Sequence, residues 1–214
     1  MSVLSAHDAA VCLAYLGATL GVAMVVPQIV RTVRHPDLAG VSPASWGLTA
    51  LGCLSWLTYG VRTATVPQIP GNVLLVSGAV TIALLVPSPM PRSRRALVLA
   101  AAAVGIVAVA FTIPATSVGY LAVSVGLVSA WPQVFDSVAG WRAGDGTSGV
   151  SITSWSIKVV SQTCWLVYAV VTMQTPVVIS ATVALTTALA LVTVESSRRL
   201  TASRRSAAGA LSAA

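Results

Sequence analysis

The chain has 214 residues, of which 56% are hydrophobic and only 8% charged. A soluble domain carries about 25% charged residues, so a water-soluble globule is excluded, and a mean hydropathy of +0.89 points to a membrane. The net charge of +7 sits in short segments between apolar runs, which excludes the folded basic face that nucleic-acid binding needs.

Seven apolar stretches follow one another, each near the roughly 20 residues that cross a bilayer as helix. The first, Ala9–Val30, is long, follows His7 and Asp8 rather than a basic cluster, and so differs from a cleavable signal; it ends in Pro27-Gln28. The second, Ala44–Val61, follows Gly40-Val41-Ser42-Pro43 and carries Trp46 and Trp56-Leu57-Thr58-Tyr59. The third, Ile69–Val86, contains Asn72. The fourth, Ala96–Ile113, is Ala/Val-rich and nearly featureless. The fifth, Val118–Phe135, holds Ser129 and Pro132-Gln133. The sixth, Ile152–Val171, follows Gly149-Val150-Ser151 and carries Trp155, Lys158, Ser161 and Trp165-Leu166-Val167-Tyr168. The seventh, Pro176–Val194, holds Ser180, and Glu195–Ala214 after it reads as a small, polar, basic and poorly ordered tail. The runs are continuously apolar, without the alternation of a membrane strand.

The chain repeats itself. Sliding Gly40–Pro67 onto Gly149–Pro176 gives 11 identities in 28 positions, which marks an internal structural repeat. Each repeat holds three spans, one to three and five to seven. Directly fused repeats of three crossings would be inverted; the fourth span adds a crossing and makes them parallel. The predicted fold is an all-α integral membrane protein, with seven transmembrane helices as two parallel three-helix bundles joined by a linker helix. The expected division is residues 9–87 and 116–194 as repeats, 88–115 as linker and 195–214 as tail. Of the 12 cations, 10 follow spans one, three, five or seven. By the bias of basic residues toward the cytoplasm, the N-terminus is expected outside and the C-terminus inside the cell membrane.

This pattern resembles the PQ-loop superfamily and, within it, the SWEET sugar transporters and their half-sized bacterial relatives. Pro27-Gln28-Ile29-Val30, Gly40-Val41-Ser42, Trp56-x-x-Tyr59-Gly60 and Asn72 carry the resemblance in the first half, and Pro132-Gln133, Gly149-Val150-Ser151 and Trp165-x-x-Tyr168 in the second. It implies facilitative transport of a small polar solute, a sugar first, by alternating access of two bundles. It implies tryptophans stacking on the solute at Trp56 and Trp165, Asn72 beside them, and hinges at Pro27, Gln28, Pro132 and Gln133.

The residues themselves point to a polar path. Ser45, Thr49, Gly52, Trp56 and Tyr59 share one helical face, as do Ser154, Lys158, Ser161, Trp165 and Tyr168, with Gln162 beside them. Two polar stripes facing lipid are costly, so both should line a path between the repeats; the alternative is helix–helix contact through small and hydroxyl residues. Indole faces suit a sugar ring, whereas Trp46 and Trp155 suit membrane-interface anchors. The position sixteen residues after Trp165 is Ala181, with Ser180 beside it, where the first repeat has Asn72. The site is therefore asymmetric. Ser129 joins it, with Met24 as its counterpart. Lys158 matches Thr49 of the first repeat; a lysine inside a span either binds an anionic group or carries its ammonium to the interface along its stem. An amino-acid or organic-anion carrier using Lys158, or a non-transporting receptor of the same fold, are the other readings.

No cofactor, metal site or enzymatic constellation is legible: His7 and His35 stand alone, and Cys12, Cys53 and Cys164 read as small apolar residues within spans. Arg62 stands near the outer mouth, where it could gate the path, although a loop cation is ordinarily just solvated. The partners expected are a small-molecule solute and the lipid bilayer, with a homo-oligomer left open.

Overall fold

The structure, a computed structural model, describes residues 5–34, 42–142 and 151–212. Seven helices follow in chain order: α1 Ala6–Arg34, α2 Pro43–Arg62, α3 Gln68–Leu85, α4 Arg92–Thr112, α5 Ala115–Arg142, α6 Ile152–Val171 and α7 Thr175–Ser212. No strand occurs among the described residues. Among the described residues, four segments are long and apolar enough to cross a bilayer by length and composition: Ala6–Pro27, Gln68–Leu85, Arg92–Thr112 and Thr175–Thr201. The chain is an all-α membrane protein of seven helices. Helices α2 and α6 are less apolar because their hydroxyl, amide and indole groups, and Lys158 in α6, lower their mean hydropathy.

Six helices close a ring. In order around it, α1 packs on α3, α3 on α2, α2 on α5, α5 on α7, α7 on α6, and α6 on α1. Each half thus places its third helix between its first and second, and the halves meet through α1–α6 and α2–α5. Helix α4 stands outside the ring against α2 and α3. It shows lipid an apolar surface that includes Leu97, Val98, Val104, Val109 and Phe111.

The second helices of the two halves are built alike. Ser42 caps α2 and Ser151 caps α6, each side chain accepting from the backbone N–H three residues on, which satisfies one free donor of the first turn. Pro43 occupies the opening position of α2, where its missing N–H costs nothing. Both helices end in the same turn. Thr65 N–H donates to Gly60 C=O and Ala64 N–H to Val61 C=O; Gln174 N–H donates to Ala169 C=O and Met173 N–H to Val170 C=O. This is the Schellman arrangement, and it needs a left-handed residue just past the cap. Ala64 at φ 53° and Met173 at φ 57° fill that position without being glycine.

Three expectations need correction. The chain after Val194 is helical, because α7 runs on to Ser212. Its small and basic residues are good helix formers, and a buried ion pair, Arg198 to Glu195 at 3.0 Å, fastens the turn beyond the predicted end. Helices one and five end later than expected: α1 continues through Pro27 and beyond Val30 to Arg34, and α5 continues through position 132 and beyond Phe135 to Arg142. A single missing N–H inside a bundle leaves a carbonyl that neighbouring groups can satisfy. Arg62 is more than a solvated loop cation, although it stays partly exposed. It donates to the carbonyls of Ala110 and Ile113 and lies over the Phe111 ring, so it closes the C-terminus of α4. At the other end of α4, Arg92 and Arg95 donate to carbonyls of Ala83, Leu84 and Val86, the exposed end of α3.

A left-handed alanine costs on the order of 1 kcal/mol relative to glycine. Ala64→Gly should therefore raise the thermal midpoint of the detergent-purified protein, by about 1 kcal/mol in stability; an unchanged or lower midpoint would show that the turn is not strained.

Candidate functional site

The ring encloses a cavity of about 640 Å³. Helix α2 supplies Trp46, Thr49, Gly52 and Trp56 to its wall, and α6 supplies Trp155, Lys158, Ser161, Gln162 and Trp165. Asn72 and Gln68 enter from α3, Ser180, Ala181 and Thr187 from α7, and small residues such as Gly17, Gly21 and Gly126 from α1 and α5. The cavity thus brings together Trp56, Asn72, Lys158, Ser161, Trp165 and Ser180 of the residues singled out from the sequence. Ser129 and the Gln28, Pro132 and Gln133 side chains lie outside what is described; Pro27 is exposed on α1. The glycine-valine pairs before Ser42 and Ser151, and His35, also lie outside the described residues.

Both tryptophans are held by the tyrosine one turn on. Trp56 meets Tyr59 edge to face with ring centres 5.7 Å apart, and Trp165 meets Tyr168 in the same way at 5.8 Å. The tyrosines themselves are buried and do not line the cavity. They are joined through one side chain: Tyr59 Oη donates to Gln174 Oε1 at 3.4 Å, and Gln174 Nε2 donates to Tyr168 Oη at 3.1 Å. The Thr65 hydroxyl donates to the same Gln174 oxygen at 3.3 Å. Beneath this bridge Tyr59 packs with Ala110, Val118, Ala169 and Val177, and Tyr168 with Ala10 and Ala14. The halves are therefore fastened at this end. The cavity extends the other way, to Trp46 and Trp155 in the first turns of α2 and α6.

Close helix approach makes the seal. A Cβ on Gly119 of α5 would stand 2.6 Å from Pro176 Cβ and 3.0 Å from Tyr59. One on Gly17 of α1 would stand 3.0 Å from the Ser161 carbonyl and 3.1 Å from Trp165. Ser161 uses that proximity: its buried hydroxyl donates to Gly17 C=O at 2.8 Å. Although it reaches the wall, its proton serves contact between α1 and α6. Asn72 donates to Gln68 C=O at 2.8 Å, one turn back along α3, which fixes its amide and leaves the amide oxygen as an acceptor.

Sequence reasoning missed Gln68 and Gln174. Gln174 occupies the same turn position as Thr65, so only the pairing of the two turns in space reveals that it links them. Gln68 opens α3, is 4% exposed, and packs against Gly60, where a Cβ would come within 3.0 Å of it. Trp46 and Trp155, read from the sequence as interface anchors, line the cavity. Among the described residues no group of His, Cys, Asp and Glu could hold a metal ion, and all three cysteines are free thiols.

No protein-family model matches the chain, and comparison with curated proteins finds no relative.

Removing the bridge should loosen the closed end. Gln174→Ala leaves two buried tyrosine hydroxyls without their partner, at a cost of roughly 1–3 kcal/mol, so its thermal midpoint in detergent should fall below that of the parent; equal midpoints would mean that the bridge contributes nothing.

Proposed function

We propose that this protein is a facilitative transporter of a small polar solute, a sugar first, of the two-repeat PQ-loop kind, in the cell membrane with its N-terminus outside. The observation that carries the reading is the cavity. A cavity of about 640 Å³ lined by indoles, amides and hydroxyls has no structural use inside a ring of apolar helices, and polar groups within a membrane span mark solute paths. Its two principal walls come from equivalent helices of the two halves, the place where transporters built from repeats bind their cargo.

Trp56 and Trp165 provide flat apolar faces for the C–H groups of a ring. Asn72, Gln162 and Ser180 provide donors and acceptors for hydroxyls. Neither feature needs a cofactor or a chemical step. Transport would proceed by rocking of α1–α3 against α5–α7, the Tyr59–Gln174–Tyr168 bridge parting as the opposite end closes. With the basic segments in the cytoplasm, the bridged end would face outside and the Trp46 and Trp155 end of the cavity inside.

Uptake of labelled sugars by proteoliposomes tests this. Saturable flux that ignores a pH gradient is expected, and Trp56→Ala and Trp165→Ala should each lower it at least tenfold. Trp141→Ala, on an exposed part of α5, should leave it near the parent value. Absence of flux for every sugar, amino acid and carboxylate offered would favour a receptor.

A further inference from the structure

The geometry points to an acidic cargo: the cavity takes a hydroxylated carboxylate of the sugar-acid class, with Lys158 as the residue that selects its charge. This rests on the transport reading above and names the class of solute for the same cavity.

Lys158 is the one charged residue among those described on the cavity wall. Its ammonium lies 4.6 Å from the centre of the Trp155 ring, one turn nearer the start of α6. The lean follows the ordinary direction of helical side chains, toward the N-terminus. It places the cation over an indole that also lines the cavity. An indole face steadies an ammonium but leaves its charge uncompensated.

The described carboxylates are engaged elsewhere. Asp8 is bound to Ser5 at the start of α1, and Glu195 is paired with Arg198 on α7. A lysine inside a membrane protein is costly without an anion, so the partner is to be sought in what the cavity holds. Thr49, its counterpart in the first half, is neutral, and its hydroxyl donates to Ser45 C=O at 3.0 Å. The cavity is consequently positive on one wall only.

Gln162 and Trp165 follow Lys158 at four and seven residues on the same helix, both on the wall. A charge, an amide and an aromatic face therefore succeed one another from the mouth inward. Neutral sugars answer the last two of these; a sugar acid answers all three. The same charge repels cationic solutes at the mouth before they reach the tryptophans.

Paired probes differing only in the carboxylate test the assignment. Labelled D-glucuronate and D-glucose are offered to proteoliposomes holding the full chain, with the membrane potential clamped. Glucuronate should enter at least tenfold faster, Lys158→Met should abolish the preference, and Lys158→Arg should keep it. Glucose entering as fast as glucuronate, or a preference unchanged in Lys158→Met, overturns the assignment and leaves the transport reading standing. If neither solute enters the parent vesicles, the assignment and the transport reading for hydroxylated solutes fall together. A Lys158→Met protein that does not fold is replaced by Lys158→Gln, for which the same loss of preference is required.

Discussion

The bridge from Tyr59 through Gln174 to Tyr168 governs much of what surrounds it. It is the point where the second helices of the two halves are tied, and each tyrosine in turn sets the tryptophan one turn away. Two T-shaped aromatic pairs at nearly identical separations mean that both indoles inherit their orientation from a single amide. Buried hydroxyls left without partners are costly, so the amide also explains why tyrosine rather than phenylalanine stands at both places.

A membrane supplies no water to satisfy polar groups, so this fold has to hide its polar residues from lipid. It does so by placing α3 and α7 between the other two helices of their own halves and meeting through α1–α6 and α2–α5. Every helix of the ring then has one face toward the enclosed space. Glycine at Gly17 and Gly119 lets the backbones approach at the sealed end. Toward the other end the ring leaves the cavity that Trp46, Thr49, Trp155 and Lys158 line. Tight packing and open volume are thus two ends of one arrangement.

Much of this was legible in the sequence. The apolar runs and the tryptophan and tyrosine that recur in them placed the second helices almost to the residue, because those signals are local. Helical spacing alone put Thr49, Trp56, Lys158 and Trp165 on cavity-facing stripes. What escaped depends on tertiary neighbours. Gln174 acts only because its turn meets the turn of the other half. Arg62 finds carbonyls only because α4 ends beside it. The length of α7 escaped because a polar, basic stretch reads as disorder until an ion pair such as Glu195–Arg198 gives its first turn something to hold.

Helix α4 is fastened at its start by Arg92 and Arg95 to the end of α3 and at its finish by Arg62 of α2, and only Ile113 and Pro114 separate it from α5. It changes the direction in which the second half crosses the membrane yet contributes nothing to the cavity wall. Its lipid side is therefore constrained in composition and not in shape. Around Gly105, for instance, a Cβ would meet open space. Between its two anchored ends such a segment can drift through almost any small or aliphatic sequence, whereas Leu99 and Ala110, which face α2, are tied to the first half.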